Sequence, residues 1–479
     1  MERGRLKMSN KIRYRILAIA ISFFVSAPAL MAESDPTGWA LQPLPLVSAS
    51  SDDGFGYGLR VYGTYKDAQA EPYKYQIYGQ YYATTRGYEF HELSLDAVDF
   101  LDSSFRIITR IGVERTLNAQ WYGTGNFQDI QRQKRIKRGE MPINENVRTD
   151  PATGEPIRDL YTFEDYGDSA IYSLNTRALL SPNSGDFLNP GRKLLKQTQG
   201  KYFYYDRIRP FIMMSTEQWI GDSNFKWFVG LRGQRYKIQS YAGDFEAGDK
   251  LPNGRTLIDI EQPLGYDATQ DNRFVNGVRG ALIYDSRPRK REINPNAGIF
   301  ADIHVEGVGK GTGSHYSFTR YTAAWRQYIE LLPGVFNPRD QELVFAYRFL
   351  GQKTNGDVPF YEMGRIYTSR ESAEGLGGNG GLRGYPANQF VDRVMGMANF
   401  EMRLTTFHWD VLGGIDFIML GYYDLGRVAP TNREMTLKGL HRAYGGGLRL
   451  LWQENVVINI SYGRSQFESN FNFGFNHMF

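Results

Sequence analysis

The sequence predicts an all-β protein, a transmembrane antiparallel β-barrel of sixteen strands, on three observations. The first residues have the pattern of an export signal, many later windows alternate apolar with small or polar residues, and the chain ends on an aromatic residue, Phe479. Only every second residue of such a barrel faces lipid, so the chain is hydrophilic overall and rich in aromatic residues at the interfaces. The composition fits, with 32 Tyr, 30 Phe and 52 Gly in 479 residues.

Residues 1–32 have the order of a secretory signal peptide. Six basic residues precede an apolar run at 16–25, and small residues follow, so that cleavage is expected after Ala29 or Ala32. The apolar run is too short to cross a bilayer as a helix. Removing residues 1–32 removes six basic residues and one acid, which changes the formal net charge from +4 to −1. The charge of the remaining chain therefore does not favour a nucleic-acid partner.

Alternation with a period of two locates the strands. In residues 394–404 the even positions are apolar or small, and the odd positions include Asn399, Glu401 and Arg403. An exported chain with no cysteine also suits a wall held by a closed hydrogen-bond ladder. The predicted strands are 55–65, 73–85, 88–99, 104–116, 170–182, 201–216, 223–241, 273–285, 296–306, 315–331, 340–352, 394–406, 413–424, 441–453, 455–466 and 470–479.

This strand order sets the expected domain organisation. A signal peptide at 1–32 and a short segment at 33–54 precede a barrel at 55–479. If the barrel starts from the periplasm, residues 353–393 form a long sixth extracellular loop, which we expect to fold into the lumen. Residues 117–169 then form a periplasmic insertion, unless they contain missed strands. The even strand number is the one that bacterial barrels use.

A glycine-rich segment at 375–385 carries one arginine, Arg383, between Leu382 and Gly384. Glycines at this density allow the backbone to fold back on itself. An isolated arginine in such a loop is usually solvated. The alternation, however, predicts lumen-facing acids at Glu401 and Asp424, and a buried guanidinium requires such partners. We therefore expect Arg383 to lie in the lumen and to bind both.

The segment Leu382–Tyr385 resembles the arginine-glycine-aromatic signature of loop six in the bacterial surface antigen barrels. These are the BamA-like and TamA-like assembly factors and the transporters of two-partner secretion. The resemblance implies that Asp424, in the aromatic-x-Asp sequence of the thirteenth strand, binds the loop arginine.

Three further motifs of that family are matched in order. Residues 121–126 resemble its aromatic-Gly-x-Gly-Asn stretch. A periplasmic turn motif is matched by Asp285, Arg287, Pro295 and Gly298. The terminal aromatic residues, Phe475 and Phe479, resemble the insertion signal that the assembly machinery reads.

The family implies a function that is not catalytic. It predicts a barrel in the bacterial outer membrane that assists insertion or translocation of protein or lipid, and whose seam between first and last strands opens sideways. Family members carry periplasmic POTRA repeats, which this sequence lacks before the predicted barrel. A separate periplasmic partner would then be needed, besides outer-membrane lipid and the assembly machinery. The alternative is a passive narrow pore, or a membrane anchor for a partner protein.

Motifs for catalysis and cofactors are missing from the sequence. There is no Gly-x-Ser-x-Gly elbow and no P-loop, and the six histidines form no pair at a metal-binding spacing. A phospholipase-type barrel is therefore a distant third hypothesis, and no cofactor or metal is expected. The basic run at 132–138 is either a solvated loop or a docking patch for an acidic periplasmic partner, formed by Lys134, Arg135, Lys137 and Arg138.

Overall fold

A computed structural model describes residues 37–50, 54–67, 70–125, 147–149, 156–158, 203–240, 257–266, 273–333, 335, 341–369, 372–410, 414–452, 456–465, 469–475 and 479. Within these residues, one large antiparallel sheet curls into a nearly closed barrel. No helix among them is long and apolar enough to cross a bilayer.

Sixteen long strands form the wall, and each pairs with its neighbour in sequence. They are β1 (Gly38–Ser50), β2 (Gly54–Asp67), β3 (Ala70–Thr84), β4 (Tyr88–Ala97), β5 (Arg106–Gln120), β6 (Tyr204–Trp219), β7 (Phe225–Ser240), β8 (Gly277–Asp285), β9 (Gly298–Val308), β10 (Phe318–Leu331), β11 (Glu342–Gly356), β12 (Val394–Trp409), β13 (Ile415–Ala429), β14 (His441–Trp452), β15 (Val456–Ser465) and β16 (Ser469–Phe475).

The remaining elements are short and lie in the connections. A two-residue strand at Arg273–Phe274 pairs with β7 just before β8. Two small hairpins pair Val147–Thr149 with Pro156–Arg158, and Arg365–Tyr367 with Ser372–Glu374. The helical segments are α1 (Leu257–Glu261), α2 (Phe360–Met363) and the 3-10 turns Phe100–Asp102, Arg289–Arg291 and Lys310–Thr312.

The barrel wall is charged inside and apolar outside. On β10, the even-numbered side chains are buried and include the guanidinium groups of Arg320 and Arg326. The odd-numbered ones face out, and Trp325 is 40 % exposed. On β9, Glu306 is buried while Ile303 is 64 % exposed. A protein surrounded by water shows the reverse arrangement, so this outer surface is built to face lipid.

The predicted sixteen-stranded barrel is confirmed, but one strand was missed. Every predicted strand overlaps an observed one except 170–182, which lies outside the described residues. The segment 33–54, expected to precede the barrel, contains β1. Two prolines, Pro43 and Pro45, argued against a strand there because proline lacks the N–H that a ladder needs. Proline is tolerated on a sheet edge, and among the described residues most of β1 pairs on one side only, with β2.

The seam between the first and last strands is thinly paired. All thirteen residues of β1 pair with β2. In the described residues, β1 pairs with β16 only at Ala49–Phe473 and Ser50–Asn472. Among the described residues, the ladder between β1 and β16 therefore has far fewer paired positions than the ladder between β1 and β2.

The extra strand also corrects the placement of one connection. Strands alternate in direction, so the connection after β5 leaves the barrel from the same end as the connection after β11, which is residues 357–393 and is called loop six below. Residues 117–125 therefore lie at the loop-six end, whereas the predicted arrangement puts loop six outside and the insertion at 117–169 in the periplasm. Residues 126–146, 150–155 and 159–169 lie outside the described residues. The chain has returned to the loop-six end by Gln120, because β1 adds one crossing before it.

The strand order predicts which turns are exposed at each end. The chain has no cysteine, so a single introduced cysteine can be labelled specifically. Arg86 lies in the β3–β4 turn at the loop-six end, and Asp222 lies in the β6–β7 turn at the other end. In intact cells a membrane-impermeant maleimide should label Arg86→Cys, and should label Asp222→Cys only after permeabilisation. Labelling of Asp222→Cys in intact cells would contradict the orientation.

Candidate functional site

The side chain of Arg383 is buried in a cluster of acids from the barrel wall. Its Nε and Nη2 donate to the two oxygens of Asp424 on β13, at 2.8 and 2.7 Å. Its Nη1 donates to Glu401 Oε1 on β12 at 2.5 Å. The guanidinium carbon lies 3.5 Å from the ring centroid of Tyr422. The structure thus brings together the arginine and both acids that the sequence singled out.

The cluster extends through Glu401 to the end of the chain. Arg449 on β14 donates to both oxygens of Glu401 at 2.9 Å, and Arg403 Nε donates to Oε2 at 2.8 Å. The same Arg403 donates from Nη2 to the main-chain oxygen of Phe479 at 3.1 Å. One carboxylate therefore links the tip of loop six to the C-terminal residue.

A second set of hydrogen bonds fixes the orientation of Asp424. Asn399 Nδ2 donates to Asp424 Oδ1 at 2.9 Å, and its amide oxygen accepts from Arg348 Nε at 3.0 Å. Arg348 also donates to the carbonyl of Gly380 in loop six at 2.9 Å. Buried polar groups that are all paired hold one arrangement more firmly than isolated pairs do.

Glycine is required where the loop approaches the wall. A Cβ at Gly384 would lie 2.6 Å from the carbonyl carbon of Arg464 on β15, and a Cβ at Gly463 would lie 2.0 Å from the carbonyl oxygen of Arg383. Gly377 has φ +133°, a conformation that other residues avoid. The Arg-Gly sequence therefore brings the loop backbone against β15, one strand from the seam.

The other two residues of the loop-six motif form its apolar support. Leu382 is fully buried with Leu376. Tyr385 packs edge-on against Phe390, with ring centroids 5.2 Å apart, and Phe390 stacks on His441 of β14 at 3.6 Å. A tight apolar group on one side and an ion cluster on the other leave the loop tip little freedom to move.

A second attachment of loop six, at Glu362 in α2, was missed by sequence reasoning. Arg232 Nη1 and Tyr236 Oη on β7 donate to Glu362 Oε1 at 2.8 and 2.6 Å, and Arg320 Nη2 on β10 donates to Oε2 at 3.0 Å. Both arginines also bind Glu306 of β9. The sequence did contain a signal for it. Arg232 and Arg320 occupy lumen-facing positions of their strands, and buried arginines require carboxylate partners.

The charge of Glu362 is strongly stabilised. Burial acts to raise its pKa, but the guanidinium groups of Arg232 and Arg320 outweigh burial and hold the pKa well below its usual range. Burial likewise acts to lower the pKa of Arg383, and Asp424 and Glu401 raise it instead. Both loop residues therefore stay charged at neutral pH.

A third attachment lies in the small hairpin of loop six. Arg365 Nη2 and Glu374 Oε1 are 2.6 Å apart, and Arg207 Nη2 on β6 donates to the same Glu374 oxygen at 2.9 Å. Arg207 also donates to Glu114 Oε1 on β5 at 2.6 Å. Together the three attachments tie loop six to strands on opposite sides of the wall, so the loop fills the lumen.

The aromatic-glycine segment after β5 lies against loop six. Trp121 meets Phe360 of α2 edge-on, with ring centroids 5.2 Å apart. The backbone N–H of Gly125 donates to the carbonyl of Val391 at 2.9 Å. This motif therefore covers loop six at its own end of the barrel. Asn126 and the basic residues Lys134, Arg135, Lys137 and Arg138 lie outside the described residues.

The predicted turn motif closes the β8–β9 connection at the opposite end. Arg287 donates to both oxygens of Asp285 at 3.0 and 3.1 Å, and its guanidinium lies over Phe300. Gly298 has φ +92°, and a Cβ there would meet the carbonyl oxygen of Ser286 at 2.6 Å. Pro295 is buried in the same turn. The spacing of these residues thus serves one compact turn.

The C-terminal residue departs from the predicted pattern. Phe471 is 43 % exposed on the outer face, as the alternation predicts, but β16 ends at Phe475. Phe479 is buried instead with Tyr328 and Val344, and lies near Arg403. The alternation of residues 470–479 predicts Phe479 on the outer face with Phe471, and its burial with Tyr328 and Val344 corrects that prediction. Its role as an insertion signal remains a prediction.

The chain was compared with known proteins. No protein-family model and no curated protein matches it. It is similar to the solved structure of BamA from Haemophilus ducreyi lacking POTRA domains 1-3, at 12 % identity and a TM-score of 0.49, over 96 % of this chain and 78 % of that one. BamA belongs to the group of barrels that the sequence motifs resemble.

Two other solved structures are more distant. CdiB from Acinetobacter baumannii is 11 % identical with a TM-score of 0.46, over 92 % of this chain and 60 % of that one. The β-domain of the Bordetella autotransporter BrkA is 11 % identical with a TM-score of 0.25, over 58 % and 93 %. Because all these TM-scores lie below 0.5, they do not assign the chain to a family, and the barrel fold rests on strand pairing and burial.

The ion cluster predicts a large effect of one substitution. Arg383→Ala leaves the buried carboxylate of Asp424 without its cation, while Glu401 keeps Arg449 and Arg403. Losing one partner of a buried pair should destabilise the docked loop by roughly 3–5 kcal/mol. We expect faster protease cleavage of loop six in the folded, detergent-solubilised barrel, and a lower unfolding temperature. Arg433→Ala, at an exposed position, is the matched control. Equal cleavage rates for the two variants would show that the cluster does not hold the loop.

The lowered pKa of Glu362 predicts the pH range in which loop six stays docked. A carboxyl whose pKa is lowered on docking stabilises the docked state above its undocked pKa, about 4.3. That stability is lost as the pH falls through the lower docked value. A spin label at the exposed Asn379 should therefore keep the same mobility from pH 7 to about 5 and become mobile only below about 4. In Glu362→Gln it should be more mobile already at pH 7.

Proposed function

We propose that this chain is a bacterial outer-membrane barrel that assists the insertion or translocation of protein or lipid through a seam between β1 and β16. The observation that carries the proposal is the contrast between two neighbouring ladders, with thirteen paired positions between β1 and β2 and two between β1 and β16 in the described residues. A wall that is continuous elsewhere will open at its weakest ladder.

The sequence of the seam strands supports easy opening. Each of Pro43 and Pro45 removes one backbone donor from β1. On β16, Gly474 has no side chain to pack, and glycine weakens a strand interior. Ser50 and Asn472 form one of the two closing pairs in the described residues.

The lumen, by contrast, is closed by charge. Glu362, Arg365 and Arg383 of loop six are each buried and paired with wall residues. Breaking any of these pairs strands a buried charge, so passage along the barrel axis would cost more than parting two residue pairs at the seam. This difference favours a lateral route over an axial one.

The outer-membrane location is supported by the apolar outer surface and charged interior, and by the signal-like residues 1–32. We further propose that the protein is not an enzyme. In the described part of the chain, no three metal-binding side chains converge. Outer-membrane lipid and the machinery that inserts barrels are the proposed partners. A separate periplasmic protein that delivers clients remains part of the proposal. The described chain reaches the loop-six end by Gly125, and the basic run at 132–138 lies outside the described residues.

A passive narrow pore is the second candidate. A cavity of about 350 Å³ lies between loop six and the wall of β4–β6. Its lining includes four arginines and two acids, Arg110, Arg207, Arg209, Arg365, Glu114 and Glu374, so cations are in excess. If this cavity extends through the barrel, small anions would cross it while larger solutes would not. The same fold would then act without any movement of the seam.

A reversible lock distinguishes the two candidates. Ala49→Cys with Phe473→Cys joins a closing pair of the seam, while Val47→Cys with Tyr57→Cys joins the β1–β2 ladder as a control. In vesicles that contain the protein, we expect the seam disulfide to slow the folding of an added small β-barrel, and reduction to restore the rate. The control disulfide should have no effect.

Single-channel conductance supplies the opposite outcome. A passive pore predicts the same conductance with the seam locked or free, no change in folding of the added barrel, and a larger current when Arg383→Ala loosens loop six. That combination would replace the lateral route with the pore.

A further inference from the structure

The outer face of the barrel carries a trench floored by small residues. In the ladders of β10 to β13, Ala323 lies opposite Gly351, Gly351 opposite Gly396, and Gly396 opposite Arg427. All four lie at positions that face away from the lumen, since their neighbours along each strand are the buried ones. The row therefore forms one lateral channel across four strands, which ends at an arginine.

Larger residues form the two sides of the trench. On the side away from loop six, Trp325 and Phe349 are paired and exposed. On the loop-six side stands the connection after β13, where Met435 Cε is 3.6 Å from a Cβ placed on Gly396 and Leu437 is 87 % exposed. The space enclosed is about 850 Å³. An outer surface that only contacts bulk lipid does not require such a recess.

The charge of the lining is one-sided. Its only charged residues are Asp302 and Arg427. Asp302 points into the lumen, where its Oδ2 accepts from the backbone N–H of Ser369 at 2.7 Å. Arg427 donates from Nη1 to the carbonyl of Lys438, and its Nε is buried without a hydrogen-bond partner. Lys353 belongs to the next row toward loop six, opposite Tyr321. The trench thus combines an apolar floor with a cationic end.

We propose that the trench binds a phosphorylated, acylated glycolipid of the lipid A type, with an acyl chain along Ala323, Gly351 and Gly396 and a phosphate at Arg427. Glycine inside a strand commonly marks a place where a ligand approaches closely, and a guanidinium binds phosphate through charge-assisted hydrogen bonds. The floor residues Ala323, Gly351 and Gly396 lie in the halves of their strands nearer loop six, and in the proposed orientation that end lies in the outer leaflet. Phe225 and Tyr284 extend the lining toward the other end. The inference rests on the proposed outer-membrane location.

The test fills the trench without disturbing the wall. No atom lies within 4 Å of a Cβ placed on Gly351 or on Gly421, and neither has a positive φ. Gly421 is exposed on β13 and does not line the trench. Gly351→Phe is therefore the test variant and Gly421→Phe the matched control. Arg427→Gln removes the cation and leaves the floor intact.

Each protein is extracted from membranes in mild detergent, and folded barrel is selected by its heat-modifiable mobility. Mass spectrometry then measures bound lipid A per barrel. We expect about tenfold less lipid A on both variants than on the parent. Gly351→Phe fills the site of the acyl chain, and Arg427→Gln removes the charge-assisted hydrogen bonds to the phosphate. Gly421→Phe should match the parent. Added lipid A without phosphate should raise the unfolding temperature of the parent and Arg427→Gln equally.

Several outcomes would overturn the proposal. Equal amounts of bound lipid A on Gly351→Phe and Gly421→Phe would exclude the trench as the site. If the parent retains as much phosphatidylglycerol as lipid A, the site does not recognise the glycolipid headgroup. A protein that copurifies with the parent and is lost only from Gly351→Phe would assign the trench to a protein partner. If the barrel itself fractionates away from the outer membrane, the proposed function fails. The two proposals can also fail separately. If the parent binds about tenfold more lipid A than Gly351→Phe and Arg427→Gln, but the seam disulfide does not slow the folding of the added barrel, this inference holds and the seam proposal fails.

Discussion

Loop six lies inside the barrel because Arg383 has two carboxylates there to bind. An arginine taken out of water without partners would cost more than the loop could recover by packing. Asp424 and Glu401 lie on adjacent strands, β13 and β12, so their relative position is set by the wall itself. The guanidinium satisfies both acids at once, and in doing so it fixes the loop tip against β15. The attachments at Glu362 and Arg365 then extend along the rest of the loop.

Strand periodicity predicted this cluster before any contact was visible. Once β12 and β13 were located, parity placed Glu401 and Asp424 on the lumen side, and the glycines around Arg383 allowed a folded loop to reach them. The same reasoning could not find Glu362, because a loop residue has no parity. Its partners did carry a signal, since Arg232 and Arg320 occupy lumen positions where a charge must be paired.

The errors have the same origin. Periodicity overlooked β1 because Pro43 and Pro45 interrupt the pattern of donors that a central strand requires, and only pairing shows that β1 is mostly an edge. Missing one strand reversed the assigned end of the segment after β5. The spacing of Phe479 continues that of Phe471 and so predicts the outer face, yet Phe479 is buried with Tyr328 and Val344. An alternating sequence shows which residues would share a face of a strand, but it does not show where the strand ends.

The lumen network and the seam are physically connected. Glu401 accepts from Arg383 of loop six and from Arg403, and Arg403 donates to Phe479, four residues beyond β16. A movement of the last strand that withdraws Phe479 would remove an acceptor from Arg403, which also donates to Glu401. The charge balance around Glu401 then changes, and with it the balance that holds Arg383. If the seam opens as proposed and withdraws Phe479, its opening and the release of the tip of loop six would be coupled through the single buried carboxylate of Glu401.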